Sequence, residues 1–174
     1  KGLLDLDSPP HFDLLILDEA HSIRNPTTLR HLVARYLCEN ATAVLFLTAT
    51  PIQLRIEDLF VLLNTLRPDV FLDMAAFGAI TEPNPYINRA ATLAREGGEG
   101  WREGARQELA EAAETAWGSS FLEGDSKFQG VCAQLARDEG REARVATIRD
   151  IEDLHTLSPF MNRTLRRDIG DFTR

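Results

Sequence analysis

Lysine is nearly absent from this chain. Of 19 basic residues only Lys1 and Lys127 are lysines, and arginine supplies the rest. Cysteine is scarce too: Cys38 and Cys132 lie far apart and in no Cys-x-x-Cys pattern, which excludes a disulfide framework and fits reduced thiols. The four histidines, His11, His21, His31 and His155, show no ligand spacing with Cys or acids, so a metal site made of protein ligands alone is not expected. No apolar run approaches the roughly 20 residues that a membrane-spanning helix needs, and no signal-peptide pattern opens the chain. No membrane partner is expected. Basic charge is also in deficit: 27 acidic residues leave a net charge of −8, which argues against nucleic-acid binding through bulk charge and leaves room only for a local basic strip. The arginine excess itself reads as coding bias rather than as phosphate recognition.

What is present suits one globular core: 174 residues, 44% hydrophobic and 26% charged. The first residue is Lys1 and the last is Arg174, within a charged stretch, so the expectation is a piece of a longer protein.

The first half alternates strand and helix signals. Phe12 to Leu17 is short, apolar and bounded by Pro9-Pro10 and Asp18-Glu19, which reads as a buried strand. Asn25 and Pro26 suit the N-cap and first position of a helix, with Leu29, Leu32, Val33, Tyr36 and Leu37 as its core face. Ala43 to Leu47 reads as a second buried strand. One helix between two such strands makes a βαβ unit, hence a parallel pair. Ile56 to Leu66 reads as a helix with Leu59, Leu62, Leu63 and Leu66 inward, ended by Pro68. From Met74 strand signals vanish. Gly97-Gly98-Glu99-Gly100 marks a break, and a helix is expected from Trp101 to Trp117, a shorter one from Lys127 to Ala136, and a last long one carrying Val145, Ile148, Ile151, Leu154 and Leu157 up to Pro159. The expected organisation is residues 1–73 as an α/β piece, 74–141 as a helical insertion, and 142–174 as a return helix with a terminal basic segment. The insertion is either a surface for DNA or a partner, or a decoration without chemistry. Trp101 and Trp117 read as core packing of an amphipathic helix rather than as base-stacking groups.

The chemistry sits where the strands end. Asp18-Glu19-Ala20-His21 follows Leu14-Leu15-Ile16-Leu17, so a strand delivers two carboxylates to the open edge of a sheet, where α/β sheets bind ligands. One acid can hold Mg²⁺ through water and its neighbour can polarise an attacking water, as phosphate-anhydride hydrolysis requires. Thr48-Ala49-Thr50-Pro51 leaves the second strand at the same edge. Its hydroxyls can bond to a neighbouring acid or His and so couple loop position to nucleotide state.

These stretches resemble a known family. "LLILDEAH" and "LFLTATPIQ" look like motifs II (the DEAH box) and III of superfamily 2 helicases. "DEAHSIRNPTT", "LTATPIQLRIEDLFVLLNTLRP" and "NRTLRRDIGDF" resemble the Swi/Snf-related DNA translocases, bacterial members above all. The resemblance covers roughly Phe12 to Phe71 and Asp150 to Phe172; the segment between carries no recognised motif. It implies the C-terminal half of a RecA-like (P-loop NTPase) lobe: an α/β fold with a small parallel sheet and a largely helical insertion. It implies ATP and Mg²⁺ as cofactors, with Asp18 binding Mg²⁺ through water, Glu19 orienting and deprotonating the attacking water, and His21 linking the γ-phosphate region to the Thr48-Ala49-Thr50 coupling loop. Gln53 falls in the loop near the DNA path with Arg55 beside it, Arg166 and Arg167 match the basic pair near the end of the lobe, and Arg24-Asn25 matches a basic-Asn pair common after motif II. The implied partners are double-stranded DNA, through the full-length protein, and a second RecA-like lobe of the same chain. The implied place is the bacterial cytoplasm, on the nucleoid.

The chain departs from the family's pattern in several places, and the second RecA-like lobe and the first part of the sheet are expected to lie outside it. The family usually has Asn where Leu54 stands. No Gly-x-x-x-x-Gly-Lys-Ser/Thr occurs anywhere in the chain, so neither backbone N–H groups nor a lysine cradle the phosphates. The chain by itself is therefore expected to be inactive as an ATPase. Two other readings remain open: a non-catalytic interaction module that keeps the acids as relics, and a helicase subunit of a restriction or repair system.

Overall fold

Two parallel strands and the helices beside them hold the N-terminal part together. β1 (Phe12–Leu17) pairs with β2 (Ala41–Phe46), with Leu14 opposite Ala43 and Ile16 opposite Leu45. The computed structural model describes residues 10–48, 55–137 and 141–161, and the chain divides into compact units 1–77 and 78–174. α1 (Leu29–Glu39) is the crossover between the strands and α2 (Ile56–Leu66) follows them. One face of the sheet is covered: Leu17 and Phe46 pack against Ile23, Ala34 and Leu62. The other is not. Leu14 is 55% exposed, Ile16 53% and Leu45 46%. The strands exist as expected, but they are not buried on both sides. A continuous apolar run suits a sheet covered on two faces, and the described helices of this unit cover one.

The first helix starts later than its sequence suggests. Asn25 does not cap it; its side chain accepts the Thr27 N–H at 3.0 Å in a local turn. Short polar side chains compete with the helix in this way. Thr28 becomes the cap, accepting the His31 N–H at 3.3 Å. The core face shifts with it: His31 and Ala34 are buried, while Leu29 is 67% exposed and Leu32 49%. Nδ1–H of His31 donates to the Ile23 carbonyl at 2.9 Å, which satisfies the buried ring nitrogen. α2 keeps the bounds read from its periodicity, with Leu62 and Leu63 buried and Leu59 and Leu66 half-buried. Beyond it, Asn64 donates to the Phe71 carbonyl at 2.7 Å, and Phe71 stacks edge-on against Phe77 with ring centroids 5.7 Å apart.

Helices make up the second unit. After α3 (Met74–Thr81) come α4 (Asn84–Glu96), α5 (Trp101–Glu114), α6 (Ala116–Phe121), α7 (Ser126–Leu135) and α8 (Arg141–Glu152). Their core is closed: Ile87, Leu109 and Ile151 are fully buried, and Ala90, Ala94, Ala105 and Ala112 are buried with them. Trp101 and Trp117 pack against this core, as their helical spacing implies. α4 carries no apolar stripe of large residues, so periodicity does not mark it. Its buried side is mostly alanine, which signals a close helix contact only once the neighbour is known. The expected single helix from Trp101 to Trp117 is broken at Thr115, whose ψ of 158° is extended and whose hydroxyl accepts the Gly118 N–H at 2.9 Å to start α6. The last helix stops at Glu152, and Leu154 and Leu157 are buried from the turns that follow. There Asn84 grips Thr156: its amide donates to the hydroxyl at 2.9 Å and its carbonyl accepts the Thr156 N–H at 2.9 Å, all buried.

Candidate functional site

β1 ends at Leu17, and the next four residues are the candidate site. The parallel ladder continues one step beyond it, with the Leu47 N–H donating to Leu17 O at 2.9 Å and the Ala20 N–H donating to Leu47 O at 2.8 Å. These two bonds pull the turn after β1 against the turn after β2. Ala20 is fully buried at that junction, where a larger side chain would not fit. Asp18 and Glu19 stay exposed. Asp18 Oδ1 accepts the Glu19 N–H at 2.8 Å, which orients its carboxylate.

Glu19 then takes the left-handed conformation, with φ 52° and ψ 46°. Among the described residues no other non-glycine residue has positive φ. Such a backbone is unfavourable for a side chain with a Cβ. It is stabilised here by the short 3₁₀ turn Ala20–Ile23, in which the Ser22 N–H donates to Glu19 O at 2.9 Å. The result is that the Glu19 side chain turns back on His21. Glu19 Oε2 lies 3.1 Å from His21 Nδ1, and the same nitrogen lies 3.3 Å from Thr48 Oγ1. A carboxylate accepts and a hydroxyl is able to accept, so these partners assign the proton to Nδ1.

The structure thus brings together Asp18, Glu19, His21 and Thr48. Ala49, Thr50, Gln53 and Leu54 lie outside the described residues, as do Arg166 and Arg167. Arg55 is exposed just before α2, its N–H donating to Asp58 Oδ2 at 3.3 Å. Arg24 follows the 3₁₀ turn and is exposed, its N–H donating to His21 O at 3.4 Å. Among the described residues no three His, Cys, Asp or Glu side chains stand together as a metal cage. Mg²⁺ does not need one, because it keeps several waters and takes one or two carboxylates plus phosphate oxygens. Two adjacent exposed carboxylates at a strand end fit that demand. The left-handed backbone of Glu19 is not legible in the sequence. Nothing in the residue type signals it, since glutamate is not enriched at positive φ.

The SNF2-related domain family profile matches residues 6–112, more than half the chain and well into α5. The chain belongs to this family. It is similar to the RNA polymerase-associated protein RapA of Pseudomonas savastanoi pv. phaseolicola, 30% identical over 164 residues, covering 92% of this chain. The RapA of Vibrio atlanticus is 30% identical over 167 residues and 94% of the chain. An uncharacterized ATP-dependent helicase, YqhH of Bacillus subtilis, is 45% identical over 62 residues, 33% of this chain and 10% of that protein. The chain spans 16% of the length of the two RapA proteins. No solved structure matches it. No helix among the described residues is long and apolar enough to cross a membrane.

Proposed function

We propose that this chain is the C-terminal half of a RecA-like ATPase lobe in a longer, DNA-translocating protein of the bacterial cytoplasm, acting on double-stranded DNA at the nucleoid. The observation that carries the reading is the junction of the two strand-end turns, where one His21 nitrogen stands 3.1 Å from the Glu19 carboxylate and 3.3 Å from the Thr48 hydroxyl. Two segments 27 residues apart in sequence meet at one point, which is what a hydrolysis site coupled to a moving loop requires. Asp18 would hold Mg²⁺ through water, and the ion, once bound, would neutralise phosphate charge. Glu19 orients the attacking water and takes its proton for in-line attack on the terminal phosphate. His21 and the Thr48-Ala49-Thr50 loop report the state of the site, and Gln53, Arg55, Arg166 and Arg167 are the candidates for DNA contact. The phosphate cradle comes from sequence outside this chain, and a second lobe of the same protein supplies the arginines that stabilise the transition state. Residues 74–141 act as an insertion on the lobe, and 142–174 return to it. The bare apolar face of the sheet supports a lobe completed by further strands and helices of the longer protein.

The test uses the longer protein and this chain side by side. In the longer protein Glu19→Gln lowers ATP turnover by about 10²–10⁴-fold, the range for loss of a general base. The 174-residue chain alone releases phosphate only at background. Turnover by the isolated chain that Glu19→Gln removes would overturn the division of the site.

A further inference from the structure

We infer that His21 is a positioning residue that latches Glu19 away from its working orientation until the site is loaded; this rests on the ATPase reading above. The carboxylate meant to face a water and the phosphates is instead turned back on its own chain. Glu19 sits in the left-handed region, and its Oε2 lies 3.1 Å from Nδ1 of His21, two residues on. Nδ1–H donates to that carboxylate, and the bond holds Oε2 toward the ring, so that the carboxylate is not free to turn toward an attacking water. The ring does not wander, because Thr48 Oγ1 meets the same nitrogen at 3.3 Å and ties it to the turn after β2. The Ala20 N–H bond to Leu47 O, at 2.8 Å, keeps both turns together whichever way Glu19 points. So one side chain can swing while the frame holds.

The latch is weak by construction. His21 is 33% exposed and Glu19 57%, and a polar contact at that exposure shifts a two-state balance only modestly. Weakness suits a contact that opens in every cycle. Charge arriving at Asp18 supplies the differential interaction that favours the released state.

Two measurements test it. In the longer protein, without DNA and at saturating ATP, His21→Ala raises kcat roughly two- to fivefold with KM for ATP unchanged, the size an exposed polar contact allows. His21→Gln, whose amide can donate to the same carboxylate, raises kcat less than His21→Ala does. In the 174-residue chain, ¹⁵N spectra of the His21 ring in mildly alkaline buffer show the proton on Nδ1, and Glu19→Gln shifts that signal. A fall in kcat for His21→Ala, or equal effects of Ala and Gln, overturns the latch, as does an unprotonated Nδ1. Wild-type turnover by Glu19→Gln would instead sink the ATPase reading itself.

Discussion

The two units use apolar residues in opposite ways. In the helical unit the large core side chains Ile87, Leu109 and Ile151 are fully buried, and alanines let the helices close around them. In the strand unit Leu14, Ile16, Leu45 and Leu47 stand 43–55% exposed on one side of a two-stranded sheet. The helical unit satisfies its own hydrophobic demand. The strand unit has a side that its own described residues do not cover, and this is the unit that carries the candidate site. A sheet with one bare face fits the proposal that the rest of the lobe lies elsewhere in a longer protein.

The contrast can be broken by mutation. Both tryptophans of the chain, Trp101 and Trp117, lie in the helical unit, so tryptophan fluorescence during urea unfolding reads that unit alone. Leu109→Ala should remove about 2–5 kcal/mol from the stability so measured, the usual loss for a fully buried leucine. A loss below about 1 kcal/mol would mean that the helical core is not the closed cluster described. Asn84→Ala should remove about 1–3 kcal/mol, because it leaves the buried Thr156 N–H and hydroxyl without their partner. Asn84→Asp, which can still accept the N–H but cannot donate to the hydroxyl, should fall between.

A smaller effect comes from pH. Burial pushes the His155 ring below its ordinary value of 6.5, and its Nδ1 accepts the Leu157 N–H at 3.3 Å, which requires that nitrogen to be unprotonated. The folded state therefore binds the proton less readily than the unfolded chain. The contribution of His155 is fully present above pH 6.5 and is lost as pH falls from there through the lowered folded value. Fluorescence-detected stability should decline across that window in the wild-type chain, and more shallowly in His155→Asn. The smallest change belongs to the strand unit. Leu14→Ser should alter amide-exchange protection of β1 and β2 by less than about 1 kcal/mol, because the side chain is already 55% exposed. A loss as large as that of Leu109→Ala would show that the bare face is covered in solution.

Much of this architecture was legible in the residues. β1 was readable as a short apolar run between breakers, and α2 as a period of leucines ended before Pro68. The parallel pairing followed from the crossover helix between the strands. Other features depended on competition that periodicity does not register. Asn25 had the right type for a cap and spent its side chain on Thr27 instead. Thr115 interrupted a good helical stripe by capping the next helix. α4 hid because its buried side is alanine. In the site, Asp18 and Glu19 were readable as strand-end acids, and the expectation that a hydroxyl of the second turn would meet a neighbouring acid or His is realised between Thr48 and His21.

By itself the amino-acid sequence determined the kinds of element, their order and the delivery of two carboxylates to a strand end, because these depend on side-chain spacing along a few neighbouring residues. Only the tertiary structure decided which face of the sheet is covered, that Glu19 bends back in a left-handed turn, and that His21 meets Thr48. Each of those depends on contacts across the crossover, between residues whose separation in the chain carries no record of their distance in space.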